Sequence, residues 1–351
     1  MKRLINKHAL NLSARFISRL VFFVCAALGV SILTSGCAML SKNPFLPQDP
    51  TQVREESSAA IASHYQGTFD LKKIPENTVF VDARTAFEYG LGHLQGSVNI
   101  QWQDFAQADE PYRGLLLPDA VAMARRLALY GIDPDTPVIV LGKGILSDES
   151  PDSKQMHSRA SEGRVAWMLR YLGVKNVTWS QLDFFHGKMV QGEMEPVKNK
   201  EYWMPELQTD LLVSQEALLQ DAKIAKTETD AVILIDVRSE KEYLDKNSLN
   251  KFSNVPLTEA GVNAANPPEP TKINFDTINV PWVEFFDEQG HVNSSIEKRL
   301  VSVGIRKDQK IYVLSNQGVR SAWITLMLRN LGFTKASNFA GGYKLLLKAA
   351  K

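Results

Sequence analysis

The stretch "VDARTAFEY" (81–89) returns later in the chain as "IDVRSEKEY" (235–243), and this repetition decides the fold. Each copy begins at the end of a short apolar run and leads into a segment with helical spacing. Three more pairs follow in the same order, and the offset within a pair is 154 to 180 residues: "NIQW" (99–102) with "NVPW" (279–282), "YGID" (130–133) with "VGIR" (303–306), and "MLRYLG" (168–173) with "MLRNLG" (327–332). A repeat this long predicts a duplicated domain and not a solenoid.

Short β-rich runs alternate with amphipathic helical stretches in both halves. The clearest runs are "TVFVD" (78–82), "PVIVL" (137–141), "AVILID" (231–236) and "KIYVL" (310–314). This alternation predicts an α/β fold in which each half is a parallel sheet flanked by helices. We predict domain 1 over residues 66–195, a linker over 196–209 and domain 2 over 210–351.

The composition is that of a globular protein with room for two domains, because 44% of its 351 residues are hydrophobic and 23% are charged. The charge is unevenly placed. Residues 1–36 contain five basic residues and no acidic one, which leaves 35 basic and 39 acidic residues in the rest, a net charge of −4. That balance gives no indication of a nucleic-acid surface.

The N-terminal residues 1–36 are typical of an export signal, with a basic start followed by "LVFFVCAALGVSIL" (20–33). Fourteen apolar residues are short for a membrane span. The stretch ends in "LTSGC", which resembles a bacterial lipobox and implies that Cys37 is acylated. Ala38 after it implies sorting to the outer membrane more than to the inner one. We therefore expect a lipid-anchored, periplasm-facing envelope protein with residues 37–65 as a tether; a plain signal peptide or an uncleaved anchor is the alternative.

Cysteine and histidine usage limits the chemistry of the folded body. The two cysteines are Cys25 and Cys37, so residues 38–351 contain no thiol and no disulfide. The six histidines are scattered singly, without the spacing of a metal site. We predict no metal and no cofactor.

The ordered motifs resemble the tandem rhodanese family, in particular thiosulfate and 3-mercaptopyruvate sulfurtransferases. The resemblance covers roughly residues 65–350 and rests on the Asp-x-Arg strand ends, "GHLQGSVNI" (92–100), "GRVAWMLRYLG" (163–173), "INVPWVEFFDEQG" (278–290) and "FAGGY" (339–343). It implies that domain 1 is catalytically silent and that domain 2 carries the active loop. In the family that loop begins with a cysteine, which accepts a sulfane sulfur as a persulfide.

In this chain the nucleophile position is occupied by Ser315, and the corresponding position of domain 1 falls near Gly142. A serine hydroxyl is a weak nucleophile without a base and cannot form a persulfide. The family's arginines for the substrate anion are also missing, since residues 244–276 contain lysines but no arginine. We therefore assign no catalytic residue, and we expect the loop of domain 2 to be degenerate as a sulfurtransferase loop.

The segment between the strand at 310–314 and the following helix is a candidate anion site. A loop that leads into a helix can direct several backbone N–H groups at one point. We predict that the site consists of this loop, with Arg320 and the Ser315 hydroxyl as side-chain donors: Ser315, Asn316, Gln317, Gly318, Val319 and Arg320. A degenerate loop that holds only water or a solvent anion is equally open.

Other polar and aromatic residues have structural interpretations. The pairs Asp82/Arg84 and Asp236/Arg238 are expected to be framework ion pairs, and His93 a histidine that fixes a loop. Trp167 and Trp323 lie on apolar helix faces and are expected in the core. Residues 142–162 are polar and predict a surface loop, for which a partner-facing lid is the sharper alternative.

Two classes of function follow. The first is a catalytically silent member of the sulfurtransferase family, a pseudoenzyme that binds a small oxyanion or an envelope protein. The second is an enzyme, either a residual sulfurtransferase or a Ser315-dependent hydrolase of a small anionic ester. For the hydrolase, His291 is the one histidine in domain 2, and its turn-like surroundings argue against a Ser–His pair. The thiol-free body favours the first class.

Overall fold

A computed structural model describes residues 74–144, 160–182, 189–223, 232–244, 255–256, 276–287, 292–293 and 295–350. All of these residues belong to one compact unit, Gln48–Lys351. The predicted signal and tether, Cys37, His291, and most of the segments 142–162 and 244–276 lie outside the described residues.

Domain 1 is built on a parallel sheet with the strand order β3-β1-β4-β5. Strands β2 and β6 form a separate antiparallel pair. Its elements are β1 (Val79–Asp82), α1 (Ala86–Leu91), β2 (His93–Leu94), β3 (Val98–Asn99), α2 (Ala120–Leu129), β4 (Val138–Gly142), α3 (Ser161–Tyr171), β5 (Val177–Gln181) and β6 (Met189–Val190).

Domain 2 repeats this plan with five parallel strands in the order β11-β10-β7-β9-β8. Its elements are α4 (Gln215–Lys223), β7 (Ile233–Asp236), α5 (Glu240–Leu244), β8 (Val255–Pro256), β9 (Asp276–Asn279), α6 (Ser295–Ser302), β10 (Ile311–Leu314), α7 (Val319–Asn330), β11 (Ala336–Asn338) and α8 (Gly342–Ala350). The predicted fold class, two α/β domains with parallel sheets flanked by helices, is confirmed.

The apolar runs become strands because they lie inside their sheets. Every residue of β4 and β10 is buried, as is usual for parallel strands covered by helices. Two helices of domain 1 begin at polar caps. Thr85 and Glu88 form a capping box at α1, and the side chain of Asp119 accepts the N–H of Ala122 at α2 (2.9 Å).

The predicted framework pairs are the same in both domains. Arg84 lies 2.6 Å from Asp82, and Arg238 lies 2.6 Å from Asp236. The side-chain amide of Asn279 donates to the carbonyl oxygens of residues 236 and 238, and an equivalent asparagine, Asn99, does so in domain 1. These side chains hold the strand ends in shape, which is the structural role that the sequence indicated.

His93 also matches its expected structural role. It is buried, its Nδ1 lies 2.9 Å from the carbonyl oxygen of Tyr89, and the two rings stack with centroids 3.7 Å apart. The histidine therefore holds the turn between α1 and β2.

The two domains share one apolar core, in which aromatic rings meet at the domain boundary. Trp167 and Trp323 are fully buried, as predicted. Trp323 of α7 contacts Trp179, Trp282 and Phe286, with ring centroids 4.8 to 6.3 Å apart. A glycine, Gly163, lets α3 approach this ring, because a Cβ there would lie 1.9 Å from the Trp323 Cγ.

The segment predicted as a linker lies along domain 1. Three hydrogen bonds to backbone carbonyl oxygens of domain 1 hold it there. The N–H of Lys200 donates to Ala128, the indole N–H of Trp203 to Ile132, and the N–H of Gln208 to Tyr171. Among the described residues, no helix has the length and apolar character needed to cross a membrane.

Candidate functional site

The loop 315–320 runs from the end of β10 into α7 and is clamped against the turn at 339–343. Gly318 has a left-handed backbone (φ 69°, ψ 10°), and a Cβ on it would lie 2.3 Å from the carbonyl oxygen of Ala340. Gly342, also left-handed, faces the loop from the other side, where a Cβ would lie 2.3 Å from the carbonyl oxygen of Asn316. Both positions need glycine for the two turns to approach this closely.

Ser315 is buried at 1% exposure, and its hydroxyl takes part in a chain of hydrogen bonds. The amide of Asn338 donates to the carbonyl oxygen of Gly318 (3.2 Å), so its Oδ1 is the atom that accepts from the Ser321 hydroxyl (2.7 Å). The Ser321 hydroxyl has no second proton, so Ser315 Oγ donates to it (3.0 Å) and accepts the N–H of Ser321 (3.3 Å). None of these partners is a base that could take the Ser315 proton.

Arg320 is bound to a carboxylate. Its guanidinium makes two hydrogen bonds to Glu242 (2.7 and 3.0 Å), and the Arg320 side chain is 4% exposed. Asn316 donates to the same carboxylate (2.5 Å), which also accepts the N–H of Ser239 at the start of α5 (2.9 Å). An anion in the cleft would therefore compete with Glu242 for the positive charge of Arg320; its binding to the loop remains a prediction.

The backbone of the loop has N–H groups that can still donate hydrogen bonds to a ligand. Within the described part of the chain, the N–H groups of residues 316–320 donate no hydrogen bond. The first turn of a helix has no intrahelical acceptor for its N–H groups, and those of Val319 and Arg320 belong to this set. Such donors can bind an oxyanion without any charged side chain.

The loop faces a cleft of about 630 Å³ between the two domains. Its walls include five basic side chains, four of which are in ion pairs: Arg84 with Asp82, Lys143 with Glu88, Arg320 with Glu242 and Lys344 with Glu110. The fifth is Arg113 of domain 1, which is exposed and has no partner among the described residues. Among the described residues, Arg113 is therefore the one basic side chain of the walls without a carboxylate partner.

Domain 1 has a counterpart of the loop 315–320, and a carboxylate fills the space at its first position. Strand register places Leu141 beside Asp82 as it places Leu314 beside Asp236, so Gly142 is the equivalent of Ser315. A Cβ on Gly142 would lie 2.3 Å from the carboxyl carbon of Glu162, whose Oε1 accepts the N–H of Gly144 (2.9 Å). The sequence-based position near Gly142 is confirmed.

Arg164 connects domain 1 to the loop of domain 2. It is fully buried and donates to the carbonyl oxygens of Gly114 (2.6 Å) and Gly318 (3.2 Å), and its guanidinium lies over the rings of Trp102 and Trp167. Burial lowers the pKa of this guanidinium to about 9. Because Gly318 O points at Arg164, the trans peptide directs the N–H of Val319 the opposite way.

Sequence reasoning identified the loop and missed its surroundings. The pattern Ser239-x-x-Glu242 is a capping-box signature, so Glu242 could have been found as a helix cap, though not as the partner of Arg320. Arg113, Glu162 and Arg164 belong to domain 1, and no local pattern indicates that they face the loop of domain 2. Within the described residues, no cluster of three or more histidine, cysteine or acidic side chains could hold a metal ion.

The family model of the rhodanese-like domain matches the chain twice, over residues 69–180 and 219–349. These matches lie inside the two predicted domains. No curated protein matches the chain at a significant level.

Solved structures share the fold at low sequence identity. YnjE has a TM-score of 0.56 at 17% identity, with 79% of this chain and 62% of YnjE covered, so the chain spans about three fifths of that protein. SseA from Escherichia coli, a 3-mercaptopyruvate sulfotransferase, has a TM-score of 0.54 at 20% identity, with 76% and 93% covered. Wild-type EanB has a TM-score of 0.56 at 16% identity, with 81% and 67% covered. At these identities the likeness concerns the fold.

Proposed function

The chain belongs to the rhodanese-like family, and from that premise we propose that it does not transfer sulfur but binds a small anion in the cleft between its two domains. The observation that carries the proposal is the position and the hydrogen bonding of Ser315. This residue stands where the family resemblance places the nucleophile, and its hydroxyl is engaged by Ser321. A persulfide needs a sulfur nucleophile, and residues 38–351 contain no cysteine.

The anion-binding half of the proposal is supported by the cleft itself. Its volume is within the range of small-molecule sites, and the loop offers backbone N–H groups without acceptors among the described residues. A serine in place of a cysteine leaves these donors intact. The glycine contacts at 318 and 342 fix the loop, so the donors need no rearrangement to meet a ligand.

Enzyme assays test the first half. We expect the wild-type protein to show no cyanide:thiosulfate and no 3-mercaptopyruvate sulfurtransferase turnover above the uncatalysed rate. Turnover by the wild type that Ser315→Ala abolishes would overturn the silent interpretation and favour the alternative, a residual sulfurtransferase. The same variant pair assayed on small anionic esters tests the hydrolase.

Calorimetry tests the second half. Titration with thiosulfate, sulfate and small organic acids is expected to give binding at millimolar concentrations or below. If none of these anions binds, the protein is not an anion-binding member of the family, whatever the enzyme assays give.

We also propose that the protein is a lipoprotein of the cell envelope, anchored through Cys37 and facing the periplasm at the outer membrane. The motif "LTSGC" and the apolar stretch before it support this. Acyl chains would then supply the membrane affinity. Globomycin should block processing, and Cys37→Ala should release the body from the membrane fraction; tight membrane association of Cys37→Ala would contradict the anchor.

A further inference from the structure

We propose that Arg113 of domain 1 is the side chain that recognises the anionic group of the ligand, so that a ligand in the cleft is held by both domains. The inference rests on the proposed anion-binding function and goes further by naming the recognising residue and the ligand class. That class is a small organic monoanion with a carboxylate or sulfonate group.

Charge compensation singles out Arg113. Four of the five basic side chains in the cleft walls have a carboxylate within hydrogen-bond distance: Arg84, Lys143, Arg320 and Lys344. A ligand anion would compete with these carboxylates for the positive charge. Arg113 has no partner to lose among the described residues, so an anion can bind it without breaking an ion pair.

The backbone holds Arg113 next to the loop. Tyr112 to Leu115 form a β-turn, closed by the hydrogen bond from Leu115 N–H to Tyr112 O (2.9 Å), with Gly114 in its third position at φ 97°. A Cβ on Gly114 would lie 2.2 Å from the carbonyl oxygen of Gln317. Arg164 binds the carbonyl oxygen of Gly114 (2.6 Å) and so ties the same turn to the core. The Cα of Arg113 is therefore fixed one residue from a direct contact with the loop.

The guanidinium of Arg113 and the size of the cleft favour an organic monoanion. One free guanidinium compensates a single negative charge, and its planar fork fits a carboxylate or sulfonate with two hydrogen bonds. A cleft of about 630 Å³ exceeds the size of an inorganic oxyanion. The rings of Trp102 and Tyr343 and the side chain of Val319 in its walls provide apolar surface for a carbon skeleton.

Isothermal titration of the wild-type protein with acetate, benzoate, benzenesulfonate and sulfate tests the proposal, with benzamide as the neutral isostere of benzoate. We expect an organic anion to bind more tightly than sulfate, and benzamide not to bind. Arg113→Gln should weaken binding of that anion at least tenfold, and Arg113→Lys should fall between, because an ammonium cannot form the two-point contact. Arg113 has no side-chain partner among the described residues, so its variants should keep the wild-type melting temperature.

Two control variants distinguish specific recognition of the anion by Arg113 from nonspecific electrostatic attraction. Lys344→Gln removes one positive charge from the same cleft and should weaken binding less than threefold, and Arg125→Gln, on the exposed face of α2, should leave binding unchanged. Equal losses in Arg113→Gln and Lys344→Gln would overturn recognition by Arg113. Wild-type binding that Arg113→Gln leaves unaffected would overturn this inference alone, whereas absence of anion binding to the wild type would overturn the proposed function as well.

Discussion

The carboxylate of Glu162 occupies the space that a side chain at Gly142 would need, since a Cβ on Gly142 would lie 2.3 Å from the carboxyl carbon. In domain 2 the equivalents of these residues are Ser321 and Ser315, and there the strand-end residue keeps its side chain while its partner is small. In domain 1 this space is filled by Glu162 from the helix, whereas in domain 2 it is filled by Ser315 from the end of the strand. Domain 2 retains room for a nucleophile side chain; domain 1 does not.

That difference leads to the first prediction, the substitution Ser315→Cys. The new sulfur would lie beside the N–H of Ser321, at the first position of the loop whose N–H groups at 316–320 are donors. Backbone N–H groups at a helix start stabilise a thiolate, so we expect a thiol pKa of about 7.5 or below instead of about 8.5. The pH profile of alkylation by iodoacetamide measures this pKa, and the same sample is assayed for weak sulfurtransferase activity.

The control for this variant is internal, because residues 38–351 have no other cysteine and every alkylated thiol in the folded body is the new one. An alkylation profile with the pKa of a free cysteine would show that the loop is degenerate and not preorganised. Mass spectrometry of the labelled peptide identifies the modified position.

The second prediction concerns Glu242, which holds Arg320. Glu242→Ala would leave the guanidinium of Arg320, with its side chain 4% exposed, without a counter-ion. Removing one partner of a buried ion pair costs about 3 kcal/mol, and the loss should appear as a lower free energy of unfolding in urea. It should also disorder the loop and weaken any anion binding.

The matched control is Glu88→Ala in domain 1, because the two domains are copies of one plan. Glu88 is the equivalent capping-box glutamate of domain 1, but its partner Lys143 is 41% exposed. Loss of this cap and surface pair should cost about 1 kcal/mol. If the two variants were equally stable, Arg320 would not depend on Glu242, and the description of the loop as held by this ion pair would be wrong.

The fold could be predicted because its determinants are local and repeated. Apolar runs such as 310–314, their helical neighbours and the Asp236-x-Arg238 strand end are visible in the sequence, and the second copy confirms the first. The position of the loop between β10 and α7 follows from the same local patterns. The orientation of Arg320 could not be predicted, because helix spacing does not show that a glutamate 78 residues earlier would bind it.

The residues that domain 1 brings to the loop could not be predicted from the sequence. Arg164 and Gly318 are 154 residues apart, and their contact depends on how two domains pack. Gly114 has the sequence character of an ordinary turn, and only the structure shows that its missing side chain admits Gln317. Contacts of this kind follow from shape at an interface and leave no periodic or motif signal.

The third prediction is that Arg164 positions the loop from across the domain boundary. Arg164→Met keeps the volume next to Trp102 and Trp167 but leaves the carbonyl oxygen of Gly114 without its donor, so the free energy of unfolding should fall by about 2 kcal/mol. Stability alone does not distinguish positioning from packing. In the background of Ser315→Cys, however, Arg164→Met should raise the thiol pKa toward about 8.5, because the peptide that directs the Val319 N–H then keeps only one of its two donors, the Asn338 amide. Arg170→Met on the same helix is the control and should leave that pKa unchanged. A thiol pKa that Arg164→Met does not move would mean that domain 2 shapes its loop without domain 1.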